Sequence, residues 1–172
     1  MIVGPEPLAR HHSLDQFDCG KPALTGWLCH YARMNQGAGM TQTYVIHVDN
    51  RVIGYYSLCP GSIERKSAIP RTLKGIAGHA EIPIILLARL AVDSSEHGKG
   101  LGPALLKDAF QRAVNAAAAI AGRAIAVHAI DDAAVRFYEH FNFSPSPNDD
   151  RTLMILMKDV RAMLGVSTGA QS

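Results

Sequence analysis

Cysteine is scarce in this chain of 172 residues: Cys19, Cys29 and Cys59 are the three it has, an odd number with no C-x-x-C spacing. That excludes a disulfide framework and a zinc knuckle and leaves free, mostly buried thiols. Long apolar runs are absent as well. No stretch approaches the roughly eighteen residues of a membrane span, and the opening MIVGPEPLARHHSLDQ lacks the charged-then-apolar order of a signal peptide. The expectation is a cytoplasmic protein with no membrane partner. No sign of charge dominates, since 17 Lys and Arg face 15 Asp and Glu for a net +2, too little by itself to call for a polyanionic partner. Internal repeats and Gly/Ser-rich or Pro-rich linkers are missing too. With 48% hydrophobic and 19% charged residues, the chain reads as one globular domain over residues 1–172, able to build a core without metals or disulfides.

What is present is periodic. Leu24, Trp27, Leu28 and Tyr31 fall at spacings of three and four and predict an amphipathic helix over Lys21–Met34. Thr43–Val48 and Arg51–Cys59, rich in β-branched and aromatic residues, flank Asp49-Asn50 and predict an antiparallel hairpin with a two-residue turn. From Pro60 to Pro83 the repeated Pro and Gly forbid one long element, though a short strand or helical turn fits inside. Ile84–Val92 is apolar on both faces, as a central strand is. A helix over Pro103–Ala119 follows, with Gly122 as its stop, then a strand at Ala124–Ala129. Asp131 or Asp132 caps a helix running to about Phe141, and Leu153–Met157 closes as a strand. This order belongs to an α/β protein with a mixed central sheet flanked by helices.

The passage LARLAVDSSEHGKGLGPALL, Leu87–Leu106, carries a buried strand through a turn into a glycine-rich helix start. A helix N-terminus offers unpaired amides and a partial positive charge, and Gly98, Gly100 and Gly102 leave those amides open to a phosphate. Taken alone, three such glycines read more simply as a loop or close packing. The run is no P-loop, because Gly100 and not Ser or Thr follows Lys99, and it comes too late in the chain for a dinucleotide fingerprint.

These residues resemble the GNAT acetyltransferases, whose motif leads from an apolar strand to Gln or Arg, two positions, Gly, one position, and Gly or Ala. HGKGLG, His97–Gly102, follows it with His97 in the Gln or Arg place, where it can still donate to a phosphate. DDAAVRFYEHFNF, Asp131–Phe143, is similar to the family's N-x-x-A-x-x-[FL]-Y-x-x-x-G-F, with Asp131 for Asn, Asn142 for Gly, and Tyr138 in the catalytic tyrosine position. Asn tolerates positive φ, so Asn142 fits the turn. Seen alone, Tyr138 shares helical spacing with Val135 and Phe141 and reads as a core aromatic; the paired motifs favour the family role. The resemblance implies the GNAT acyl-CoA N-acyltransferase fold and acetyl-CoA as cofactor. It implies binding by Leu90, Ala91, Val92, His97, Gly98, Lys99, Gly100, Leu101, Gly102 and Asp131, with an amide near Leu90 or Ala91 as oxyanion donor. Tyr138 would be the general acid that protonates the departing CoA thiolate. No metal is expected, since His11, His12, His30, His47 and His79 lack ligand spacing.

One branch is closer: the GNAT-type toxins of bacterial toxin–antitoxin pairs, which acetylate the α-amine of aminoacyl-tRNA and block translation. The shared words are Phe17-Asp18-Cys19-Gly20 with Leu24 and Trp27-Leu28, GYYSL at Gly54–Leu58, LARLAVD at Leu87–Asp93 and RFYEHFNF at Arg136–Phe143, within residues 14–157. This resemblance implies a ribbon-helix-helix antitoxin and DNA contact only through that complex; a homodimer is the expected assembly. The residues agree in one respect. Ile84–Val92 carries no carboxylate to deprotonate a lysine, whereas an α-amine of pKa about 7.7 to 8.0 needs no strong base. A tRNA ligand demands cations, and the candidates are Arg33, Arg65, Lys66, Arg71, Lys74 and Arg89. Solvated surface explains each of these equally well except Arg89, whose apolar strand requires a partner or a wet cleft. Two alternatives stay open: an acetyltransferase for a small amine or a protein N-terminus, and a non-catalytic regulatory subunit that would survive loss of Tyr138.

Overall fold

The computed structural model describes residues 1–166, with the strands β1 (Val3–Pro7), β2 (Gln42–Val48), β3 (Arg51–Ile63), β4 (Ile82–Val92), β5 (Ala124–His128), β6 (Ser144–Ser146) and β7 (Asp149–Leu156). The helices are α1 (Pro22–His30), α2 (Ala32–Gly37), α3 (Pro70–Leu73), α4 (Leu101–Ile120), α5 (Asp132–His140) and α6 (Met157–Leu164). The strands form one mixed seven-stranded sheet in the order β1-β2-β3-β4-β5-β7-β6. The α/β class expected from the sequence holds. β1 and β6 were not predicted because Gly4, Pro5, Pro7 and Pro145 break their patterns; both lie at sheet edges, where proline's missing donor is tolerated. Contacts group the chain into two compact units, residues 1–59 with 87–109, and residues 60–86 with 110 onward. Among the described residues no helix is long and apolar enough to cross a membrane.

In the first unit the hairpin forms as its turn residues dictate. Asp49 and Asn50 both take positive φ, 47° and 67°, the twist that joins β2 to β3 with Val48 opposite Arg51. Leu8, Leu14, Phe17, Leu28, Val45, Val52 and Tyr55 make the core. The helix expected over Lys21–Met34 is instead two, broken at Tyr31, whose φ is −123°. Tertiary bonds override the periodicity there. From α2, Gln36 donates to the Leu8 carbonyl at 2.8 Å and accepts from the Thr43 amide at 2.9 Å, while Arg33 donates to the carbonyls of Ala9 and His12.

Glu6 ties the same segment to the sheet. Its Oε1 accepts from Nε2 of His12 at 2.9 Å and of His47 at 2.6 Å. The tautomers are fixed, since Nδ1 of His12 accepts from the Ala9 amide at 2.9 Å and Nδ1 of His47 from the Asn50 amide at 3.1 Å. Glu6, His11 and His12 approach one another closely enough to suggest a metal set, but both ring nitrogens of His12 are already committed. The hydrogen bonds from His12 and His47 hold Glu6 below its ordinary 4.5, and burial holds His12 below its ordinary 6.5 despite the pull of Glu6. Both pKa values are depressed in the folded state, so the associated stability is present near neutrality and is lost as pH falls below 6.5 and then 4.5. We expect Tm by scanning calorimetry to drop between pH 7.5 and pH 5, and His12→Gln to flatten that drop. An unchanged slope in the variant would remove His12 as its source.

In the second unit Ile69, Ile82, Ile84, Ala124, Ala126, Met154 and Leu156 pack together. β3 continues past Cys59, where Pro60 and Gly61 predicted its end, because Gly61 permits close approach: a Cβ there would lie 3.2 Å from Cδ1 of Ile84. The Arg123 amide donates to the Pro83 carbonyl at 2.8 Å, so β4 and β5 start at the same end, as a helical crossover requires. α4 stops at Ala121, with φ 77°, and not at Gly122. A Cβ at Gly122 would sit 3.4 Å from that of Ala117, an ordinary van der Waals contact, so packing does not demand glycine there.

Candidate active site

β4 brings Leu90, Ala91 and Val92 to the glycine turn within the first unit, Ala91 buried and its neighbours half-buried. Asp93 ends the strand and is fully occupied. Its carboxylate accepts from the Ser95 amide at 3.0 Å, the Ser95 hydroxyl at 2.7 Å and the Asp18 amide at 3.0 Å. Burial alone would raise its pKa; the Asp18 and Ser95 bonds outweigh this and hold it below the usual carboxylate range. So engaged, Asp93 is a poor base for an ammonium group. Asp18 in turn accepts from the Gly20 amide at 2.9 Å, which gives the Phe17–Gly20 word a structural purpose as a clamp on the strand end.

Gly98 and Gly100 both have φ 78°, and a Cβ on either would meet nothing within 4 Å. Glycine is required there for its backbone, and the space beside the turn is open. Past His97, whose amide donates to the Ser94 carbonyl at 3.4 Å, the next backbone bond among the described residues runs from the Ala104 amide to the Gly100 carbonyl at 3.3 Å. The amides between are the free donors of a helix start, with the positive end of the 20-residue α4 behind them. Leu101 and Gly102 open that helix. The His97 ring donates through Nε2 to the Val92 carbonyl at 2.7 Å, so a donor for phosphate would need a second proton at Nδ1. Lys99 pairs with Glu96 at 2.9 Å.

Tyr138 lies in the second unit, buried on α5. Asp131 caps that helix, accepting from the Ala134 amide at 2.8 Å. Asn142 takes φ 72°, the turn expected of it. Its amide donates to Glu139 at 3.0 Å and the Phe143 amide to Tyr138 at 3.1 Å, the Schellman pattern. That turn folds Phe143 back onto Tyr138, ring centroids 5.2 Å apart, with Phe137 on another side at 5.1 Å. Burial pushes the phenol up, and it stays protonated through the physiological range.

The expected cations fall in both units. Arg33 anchors the Ala9–His12 segment, as above. In the second unit Arg71 pairs with Asp159 through two bonds, at 3.0 and 3.3 Å, and Lys66 with Glu64 at 3.2 Å. Arg65 reaches the Ile76 carbonyl at 3.4 Å, and the Lys74 carbonyl accepts from Arg123 at 2.7 Å. Sequence reasoning saw the cluster but not Asp159 or Arg123, which approach from distant elements. Arg89 is half-buried, its guanidinium 4.9 Å from the centroid of Trp27. Its spacing puts Trp27 on the apolar side of a predicted helix, and nothing in its local sequence reveals this partner.

Residues 40–145 match the acetyltransferase (GNAT) domain. Over 161 residues, 94% of this chain and 96% of the other, the sequence is 42% identical to a tRNA-acetylating toxin of Mycobacterium tuberculosis. Among solved structures, AtaT complexed with acetyl-methionyl-tRNAfMet is similar at a TM-score of 0.84 and 25% identity, covering 95% of this chain and 98% of that one. A mutant AtaT toxin bound to the C-terminus of the antitoxin AtaR and acetyl-CoA is similar at 0.81 and 26% identity, covering 96% and 97%.

Proposed function

Because the chain belongs to the acetyltransferase (GNAT) family, we propose that it acetylates the α-amine of an aminoacyl-tRNA from acetyl-CoA and acts as the toxin of a toxin–antitoxin pair. The near full-length likeness to a tRNA-acetylating toxin carries this reading. The geometry agrees with it on the cofactor side. A left-handed glycine turn whose Cβ positions are open, set before a long helix, suits a pyrophosphate, with Gly98, Lys99, Gly100, Leu101 and Gly102 supplying amides. When bound, acetyl-CoA supplies an activated thioester. Leu90 and Val92 would hold the pantetheine arm, with an amide near Leu90 or Ala91 as the donor to the thioester carbonyl oxygen. Tyr138 gives its proton to the leaving sulfur. Burial holds the Tyr138 phenol protonated, as the donor of that proton must be. His97 and Asp131 support the cradle and α5.

On the acceptor side, β4 offers no carboxylate and Asp93 is spent on Ser95 and Asp18, which suits an amine that is already partly neutral near pH 7.7 to 8.0. Arg89 contacts acceptor phosphate, with Arg33, Arg65, Lys66, Arg71 and Lys74 as weaker contributors. Residues 1–172 act as one acetyltransferase domain in the cytoplasm, as a homodimer. The antitoxin is of the ribbon-helix-helix type, with DNA reached only through that complex. In the deciding assay, labelled acetyl-CoA is given to charged and uncharged tRNA. Label should enter only the charged pool, and expression without a partner should arrest growth. Label on polyamines or lysine peptides, with charged tRNA untouched, would reject the substrate.

A further inference from the structure

Arg89 sits in a ladder of rings. Its guanidinium lies 4.9 Å over the Trp27 indole, and that indole stacks on Tyr55 at 6.1 Å with the planes 11° apart. The Tyr55 hydroxyl is tied to the Leu24 carbonyl at 2.7 Å, in the same helix as Trp27, and the ring itself is buried. α1 and β3 thus lock the indole from behind, so that it presents a fixed face to β4. Trp27 is also the sole tryptophan.

A guanidinium held by its face keeps its edge donors available for a bidentate anion. Among the described residues only one Arg89 donor has a protein acceptor, Nη1 to the Ala88 carbonyl at 2.9 Å. A free arginine side chain would sample many rotamers and lose that freedom on binding. We propose that Trp27 is a positioning residue: its indole holds Arg89 in place beside Leu90 for the acceptor's phosphate. This rests on the reading of Arg89 as a contact to charged tRNA. The ring contacts of Trp27 among the described residues are with Arg89 and Tyr55, and its effect passes through Arg89.

The test compares Trp27→Leu, Trp27→Phe, Arg89→Ala and the double variant Trp27→Leu/Arg89→Ala. Trp27→Leu should raise KM for charged tRNA about fivefold, the scale of one partly desolvated cation–π contact. Its kcat and acetyl-CoA affinity should be unchanged, and Trp27→Phe should recover most of the loss. Arg89→Ala should raise KM further and lower the salt slope of tRNA binding by about one. The double variant should match Arg89→Ala, since a positioning residue has no effect once its target is gone. An additive double variant, or a Trp27→Leu protein with wild-type KM, overturns the positioning role while leaving Arg89 as a contact. An Arg89→Ala protein with wild-type KM and salt slope refutes the contact itself, a separate failure. Tryptophan emission keeps the proposal testable if Trp27→Leu does not fold. Saturating charged tRNA should change the emission of wild-type Trp27, and Arg89→Ala should abolish that response; no response in the wild type counts against the proposal.

Discussion

Tyr138→Phe is expected to slow acetyl transfer by about 10²-fold or more at saturating acetyl-CoA, the scale of losing a general acid, with cofactor affinity nearly unchanged. The variant removes an oxygen and leaves the ring. Its contacts with Phe137 and Phe143 remain, and the hydroxyl has no hydrogen-bond partner among the described residues, so the fold should lose little. The same burial that packs the ring keeps the phenol protonated, so no loss of activity from its ionisation is expected between pH 7 and 9. Single-turnover transfer and Tm measured on the same preparation separate chemistry from folding. A folded, saturated variant that transfers at the wild-type rate would leave Tyr138 as core packing.

Gly100→Val is expected to abolish acetyl-CoA binding measurable by calorimetry. At φ 78° a β-branched residue is strained wherever its side chain points, and here its Cβ would meet no neighbour within 4 Å. The objection is conformational: the turn must unwind to admit valine, and the amides before α4 then point elsewhere. Gly100→Ala, carrying a left-handed penalty of about 1–2 kcal/mol, should fall between the two. Each variant should also lower Tm, because the strain is present without ligand. Valine binding as tightly as glycine would show that the cradle lies elsewhere.

Most of the candidate cofactor site was legible in the sequence because its determinants are local. A positive-φ glycine before a helix, an Asp cap three residues from its amide partner and an Asn in the turn after α5 are all settled within one helical turn of chain. The same holds for Asp49-Asn50, whose backbone preference alone fixes the hairpin. Where local reading failed, a partner from another element intervened. α1 breaks from α2 at Tyr31, just before Arg33 and Gln36 reach the Leu8–His12 segment.

Local sequence is enough for the α/β order and for the strand, turn and helix that offer amides to a phosphate, and the likeness of Asp131–Phe143 to the family motif singles out Tyr138. Tertiary structure alone decided which charges have partners. It set Arg89 against Trp27, Arg71 against Asp159, Glu6 between two histidines, and Asp93 on Asp18. The physical reason is that backbone preferences act over a few residues, whereas the state of a charge depends on its burial and on the dipoles around it, and these exist only once distant segments have packed.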